Sequence, residues 1–273
     1  MTTTPTLDLA AVKTTQQATW SSGDYAAVAS TIVPISERLA DAADLRAGWR
    51  VLDVAAGSGN AAISAARLGC EVTGADYVPA LLERARERAA AERLPVTFVD
   101  GDAEALPFAA GSFDAVLIVV GSMFAPDHAQ TAAEIARVCR PGGRVALASW
   151  SPDGFIGAMF RTVAAHVPPP AGIRSPVLWG TPDHLERLFE GRVRWAAHEL
   201  RTFTFRFRSP EAFAEFFAVN YGPTLRALAA LGEDDGALLG DLIALAGEWN
   251  RLEPGAGAIA IPSTYLESVG ERL

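Results

Sequence analysis

The sequence predicts an α/β protein built on a doubly wound, mostly parallel sheet. Three observations lead there. Between Arg50 and Trp150, short apolar runs alternate with stretches of helical period. One of those runs, Phe113–Val120, is apolar on both faces, as a strand covered on both sides must be. Glycine and proline stand where the helices between the runs should start or stop.

The elements follow in order. Arg50–Val54 is a short apolar run containing Asp53, and Ser58–Leu68 reads as a helix closed by Gly69. Glu71–Asp76 is the next strand. Pro79 opens a helix with Leu81, Leu82, Ala85 and Ala89 on one face. Val96–Asp100 is a third strand and Phe113–Val120 a fourth. Asp127 can cap the following helix, with Gln130 three residues on and Ile135, Val138 and Cys139 as its apolar stripe. Pro141-Gly142-Gly143 should stop that helix, leaving Arg144–Trp150 as a fifth strand.

Outside this block the pattern changes. Val28, Ile32, Ile35 and Leu39 predict two short helices hinged at Pro34. Val167–Pro182 reads as a Pro-rich surface crossover, after which Thr181 and Pro182 begin a helix through Phe189. Phe203, Phe205 and Phe207 alternate with Thr204, Arg206 and Arg208, the pattern of a half-exposed strand. Ser209-Pro210 starts a helix carrying Phe213, Phe216, Phe217 and Asn220. Leu238, Leu242, Leu245 and Trp249 mark another helical face, and Ser263–Glu271 a last strand.

Composition narrows the function classes. Among 273 residues the formal net charge is −9, and Lys13 is the only lysine. A protein that tracks a phosphate backbone needs a basic stripe, and no run of Lys or Arg supplies one, so no nucleic-acid partner is expected. The start, MTTTPTLDLA, lacks the basic and apolar regions of a secretory signal. The longest apolar stretch, Ala115–Ala125, is about half a membrane span, so no membrane partner is expected either. Cys70 and Cys139 form neither a disulfide framework nor a metal cluster, and read as buried free thiols in a reducing cytoplasm. No His, Cys and carboxylate spacing fits a metal site, so none is expected.

The informative segment is Val51-Leu52-Asp53-Val54-Ala55-Ala56-Gly57-Ser58-Gly59-Asn60. A strand entering a Gly-rich turn and then a helix brings backbone N–H groups close to a ligand. Gly57-Ser-Gly59-Asn-Ala-Ala62 also satisfies the G-x-G-x-x-A form of a dinucleotide fingerprint, which keeps an NAD(P)- or flavin-dependent oxidoreductase open. Carboxylates recur at successive strand ends: Asp53, then Asp76, then Asp100 and Asp102. In open α/β sheets the ligand crevice lies outside those ends. One such acid suits a ribose diol and another an adenine amino group, while Asp53 can instead order the turn by accepting backbone N–H bonds.

Four stretches in order, VLDVAAGSGN, VTGADYVPALLERAR, VTFVDGDAEALPF with FDAV, and AEIARVCRPGGRVALASW, resemble the class I S-adenosylmethionine-dependent methyltransferases of the ubiquinone/menaquinone-biosynthesis type. Ala55 replaces the first glycine of that family's D-x-G-x-G-x-G. The resemblance implies a Rossmann-like, seven-stranded sheet with a helical N-terminal lid (1–45), a cofactor-binding core (46–150) and a remainder (151–273) carrying a helical cap insertion at about 208–252. It implies S-adenosyl-L-methionine as cofactor and a small-molecule methyl acceptor. By the same resemblance Ala55, Gly57 and Ser58 line the methionine end, Asp76 binds the ribose and Tyr77 lies against the adenine. Asp102 and Ala103 meet the adenine edge, and Val119 lies under the cofactor through its backbone. Trp20 and Tyr25 resemble the lid, although either is equally a packing residue, as Val119 is equally plain core. No general base stands out. His128 follows a strand end, His166, His184 and His198 look isolated, and Tyr221 is a further candidate on the cap. The lid and the aromatic segment from Phe203 to Tyr221 should set substrate choice, and the phenylalanines of that segment point to an apolar or aromatic acceptor, although core packing explains most such stripes. A non-methylating protein on the same fold and a homodimer both stay open.

Overall fold

The computed structural model describes residues 8–253 and 255–273. The reading of the first seven residues, including the start of the lid, falls outside them. Three helices precede the sheet: α1 (Leu9–Trp20), α2 (Tyr25–Thr31) and α3 (Val33–Ala42). Then come β1 (Arg50–Val54), α4 (Asn60–Arg67), β2 (Glu71–Asp76), α5 (Pro79–Ala91), β3 (Val96–Asp100) and β4 (Phe113–Val119). They are followed by α6 (His128–Val138), β5 (Cys139–Trp150), α7 (Phe155–His166), α8 (Pro182–Leu188) and β6 (Val193–Phe207). The chain closes with α9 (Pro210–Asn220), α10 (Gly222–Leu231), α11 (Asp235–Glu248) and β7 (Ile259–Arg272).

Among the described residues seven strands form one sheet in the order β3-β2-β1-β4-β5-β7-β6. The first five strands run parallel, and β7 lies antiparallel between β5 and β6. The strand order reverses between β1 and β4, which makes the carboxyl ends of those two strands the natural crevice. Leu52, Leu117 and Ile118 at the sheet centre are fully buried. Each such side chain contributes about 1.5–3 kcal/mol of transfer free energy. On α5, Leu81, Leu82, Ala85 and Ala89 are the buried face, as their spacing requires. At the other end of the order, β6 is an outer edge of the sheet, 15 residues long, with Arg194, Glu199, Leu200 and Arg206 exposed along it.

The structure corrects several boundaries. The first core helix begins at Asn60 rather than Ser58, because Gly57 and Gly59 take left-handed backbone conformations that hold the chain in a turn. The fourth strand ends at Val119, since Val120 is itself left-handed with φ 49°. Cys139 is not on the α6 stripe. Its backbone turns extended (φ −76°, ψ 134°) and it pairs with Phe113, so it opens β5. Pro141-Gly142-Gly143 therefore lies within β5, at an irregularity in its pairing with β4, and does not itself stop the helix. The crossover from Val167 to Pro182 is not wholly on the surface, because a 3₁₀ turn at Pro176–Gly180 buries Val177 and Trp179. The helix α7 has no counterpart in the sequence reading, and α10 lies within the helical cap expected at about 208–252 without having been read as a separate helix.

Candidate active site

The site grows from the end of β1. Asp53, 2% exposed, accepts the Ala62 N–H on Oδ2 at 2.8 Å and so ties the strand to the first turn of α4. Between them the chain is left-handed at Ala55 (φ 55°), Gly57 (φ 53°) and Gly59 (φ 85°). Ala55 and Val120 lie beyond the ends of the adjacent strands β1 and β4, and each holds a backbone conformation costing roughly 1–2 kcal/mol for a residue with a Cβ. Such strain persists where packing over-determines the chain, and it clusters at ligand sites. Packing is close here: a Cβ on Gly121 would lie 2.5 Å from the Ala55 carbonyl oxygen.

The neighbouring strand ends add polar groups. Asp76, closing β2, accepts the Gly57 N–H on Oδ2 at 2.8 Å and the Val78 N–H on Oδ1 at 2.9 Å. Burial pushes its carboxyl up to about 6 and that of Asp53 up to about 7, against the backbone hydrogen bonds that favour the charged form. Beyond β3, Asp102 accepts the Glu104 N–H on Oδ1 at 2.9 Å and an ammonium proton of Lys13 on Oδ2 at 2.6 Å. The same ammonium reaches Glu104 Oε2 at 2.6 Å.

Lys13 belongs to α1, which spans the strand ends. Gln16 Nε2 donates to the Phe124 carbonyl at 2.9 Å, and Gln17 Nε2 donates to the Tyr77 carbonyl. Trp20 closes the helix against Tyr25 (ring centroids 5.3 Å apart) and Phe124 (4.8 Å). Beneath this cover lies a cavity. Ala55, Gly57, Ser58, Asp76, Tyr77, Asp102, Ala103, Val119, Trp20 and Tyr25 all line it, so the structure brings the residues that the resemblance implied for the cofactor to one cavity. Lys13, Gln16 and Phe124 also line it and were missed. That Lys13 is the sole lysine was the one signal that could have marked it.

A smaller recess adjoins the first cavity and shares Tyr25, Ile32, Val120 and Phe124 with it. Its far wall is Trp150, Ile156, Met159, Phe205, Phe217 and Tyr221. Of the phenylalanines singled out in the sequence, Phe205 on β6 and Phe217 on α9 line this recess, whereas Phe213 is packed into the core with no exposure. Tyr221 lies at the junction of α9 and α10, not within a helix. Burial, and then the neighbouring Tyr25, raise its hydroxyl well above the ordinary tyrosine range.

The histidines stand elsewhere and are not isolated. His128 Nδ1 faces His184 Nε2 at 3.0 Å, both buried. His166 pairs with Asp241 at 2.7 Å, and His198 bonds Ser268 at 2.8 Å. Burial holds His128 down to about 4, so this pair is neutral at neutral pH. Among the described residues no group of three or more His, Cys, Asp or Glu is arranged to hold a metal ion, and no helix is long and apolar enough to cross a membrane.

Comparison with known proteins agrees with this geometry. Residues 52–147 match the family model described as a methyltransferase domain. An uncharacterized protein of Mycobacterium tuberculosis is 43% identical over 233 residues, 84% of this chain and 85% of the relative. A demethylmenaquinone methyltransferase of Deinococcus radiodurans is 42% identical over 127 residues, 45% of this chain and 53% of that enzyme. Among solved structures, the YcgJ protein of Bacillus subtilis aligns with TM-score 0.59 at 20% identity, covering 86% of this chain and 97% of the other. A geranyl diphosphate methyltransferase in complex with S-adenosylmethionine aligns with TM-score 0.55 at 18% identity, covering 88% and 85%. An α/β sheet ordered in this way around such a crevice defines a methyltransferase fold. The chain belongs to the class I S-adenosylmethionine-dependent methyltransferases.

Proposed function

We propose that the larger cavity binds S-adenosylmethionine and that the protein moves its methyl group to a small apolar or aromatic acceptor. The observation that carries this reading is the convergence of Asp53, Asp76 and Asp102 on one cavity beside the left-handed turn at Gly57. The donor set fits the cofactor. Asp76 retains lone pairs for the ribose hydroxyls after accepting its two backbone bonds, and Asp102 for the adenine amino group. Ala55, Gly57 and Ser58 would hold the methionine end, with Tyr77 and Ala103 on the adenine and Val119 beneath. Trp20 and Tyr25 would close over it from the lid. Three carboxylates against one paired lysine also suit a ligand that carries sulfonium and ammonium charges.

When bound, the cofactor supplies a methyl group already activated by its sulfonium. The protein's own residues then align the acceptor and keep water out. The same charge pattern disfavours a dinucleotide, whose pyrophosphate would meet these acids with Lys13 already engaged. A small-molecule acceptor, rather than nucleic acid, fits a chain of net charge −9, and a cytoplasmic setting fits the buried thiols Cys70 and Cys139. Calorimetry with S-adenosylhomocysteine beside NAD tests the reading: the first should bind without added metal and the second should not. Binding of NAD alone, or activity lost to EDTA and restored by a divalent ion, would overturn it.

A further inference from the structure

Outside the cavity wall, a guanidinium without a carboxylate holds the glycine turn. Arg88, on α5, donates from Nη1 to the Ser58 carbonyl at 2.6 Å, to Ser58 Oγ at 3.1 Å and to Asn60 Oδ1 at 2.7 Å. Its neighbours on the helix use their charge otherwise: Arg84 and Arg86 pair with Glu87 and Glu83 at the surface. Glu92, one turn beyond Arg88, is held by Arg67 through two bonds of 2.7 Å. Among the described residues Arg88 itself makes no ion pair. Burial lowers its pKa from the ordinary arginine value, yet a guanidinium stays charged at neutral pH. The whole charge is therefore directed at three neutral oxygens of one turn.

Asn60 carries the connection onward. Its side chain is buried, and Nδ2 donates to the Ala29 carbonyl of α2 at 2.8 Å. One end of the amide accepts from Arg88 and the other donates to Ala29, so both partners fix the same orientation. Ala29 stands one turn after Tyr25 on α2, and both line the cavity, as do Ser58 and Asn60. Ser58 lies between the left-handed Gly57 and Gly59, where the chain has the most freedom to move. One strut thus joins α5, the turn at Ser58 and the lid helix α2.

We propose that Arg88 is a positioning residue for the cofactor: it fixes the Ser58 turn at the methionine end and, through Asn60, ties the lid helix α2 to that turn. The proposal rests on the placement of S-adenosylmethionine given above. The test compares S-adenosylhomocysteine with 5′-methylthioadenosine by calorimetry, the second having the adenosine and thioether but not the methionine amino and carboxylate groups. Arg88→Met keeps the apolar stem and removes the donors. It should weaken S-adenosylhomocysteine about tenfold or more, the weight of one hydrogen bond to a charged group, and leave methylthioadenosine within about twofold. Arg88→Lys should recover most of the lost affinity, because all three bonds leave from a single nitrogen that an ammonium can replace. Should the methionine variant not fold, Arg88→Gln, with a neutral donor, is read by the same criteria. Hydrogen exchange reads the lid. Amides of α2 should exchange faster in Arg88→Met and in Asn60→Ala, and Arg88→Met should add little in the Asn60→Ala background. Equal weakening of both ligands, no weakening of either, or a lysine variant as weak as the methionine one would overturn the positioning role. Additive effects on α2 exchange would overturn the link to the lid. Failure of S-adenosylhomocysteine to bind the unsubstituted protein would instead overturn the cofactor reading beneath the proposal.

Discussion

The carboxylate of Asp76 accepts the backbone N–H of Gly57 at 2.8 Å, so the acid that ends β2 also holds the glycine turn that follows β1. Its second oxygen caps the entry to α5 through Val78. The residue that the resemblance implies for the ribose is thus also a structural one, holding two backbone donors. Asp76→Asn should weaken S-adenosylhomocysteine by about tenfold or more, through loss of a charged acceptor for the ribose. It should also lower the melting temperature of the free protein, because one of the two backbone donors would then face an amide N–H. Unchanged affinity beside a lowered melting temperature would leave Asp76 only the structural duty.

Proton linkage gives an independent check. Asp53 and Asp76 are held near 7 and 6 by burial, well above the carboxyls of an unfolded chain. The folded protein therefore keeps protons that the unfolded chain has released. These groups favour the fold below pH 4, and that contribution is lost as pH rises through 6 to 7. A cationic ligand with ribose hydroxyls favours the charged carboxylates, so S-adenosylmethionine should expel protons on binding. Calorimetry near pH 6.5 in buffers of differing ionisation enthalpy should show net release, and affinity should climb between pH 5 and 8. Proton uptake, or a flat profile, would contradict the placement of the cofactor beside these acids.

The Lys13 ammonium joins α1 to Asp102 and Glu104 across the roof of the cavity. Because Lys13 is partly exposed, the pair with Asp102 contributes little to global stability, in the range of about 0.2–1 kcal/mol. Its effect should fall on the lid. Lys13→Met should speed hydrogen exchange in α1 and raise the S-adenosylhomocysteine dissociation rate several-fold, with the melting temperature of the whole nearly unchanged. Unaltered exchange in α1 would show that Gln16 and Gln17 suffice to hold it.

His128 and His184 predict the acid limb of stability. Burial lowers His128 to about 4, below the ordinary histidine value, so its contribution is present above about 6.5 and is lost as pH falls toward 4. His128→Gln keeps a hydrogen-bonding group facing His184 but does not titrate. The melting temperature of the variant should gain on the unsubstituted protein steadily as pH falls from 7 to 4.5, by up to roughly 3 kcal/mol of stability. Parallel curves would mean that the pair is solvated or already charged.

Local chemistry explains which parts of this architecture the sequence disclosed. The first three strands and the start of α5 could be read to the residue because a run of β-branched and aliphatic residues, or a Pro start with a helical stripe, admits one solution. The helix α7 escaped because FIGAMFRTVAAH is apolar over its first half, with no single face to betray the period. Cys139 misled because extended pairing with Phe113 overrode a helical stripe that extended one residue too far. The site residues were legible where they sit at strand ends, since topology alone carries them to one crevice. Lys13, Phe124 and the facing histidines were not, because long-range packing places them and no local spacing records it.

The outer strand β6 has one further consequence, for the protein's behaviour in concentrated solution. A 15-residue edge leaves alternate backbone donors and acceptors free to recruit a strand from any other chain, the first step toward insoluble aggregates. Arg194, Glu199 and Arg206 stand exposed along that edge, and an incoming strand would have to strip their hydration to lie flat. These side chains touch nothing in either cavity, yet they guard the shelf life of the enzyme. Replacing them with valine should leave ligand affinity intact while solubility collapses.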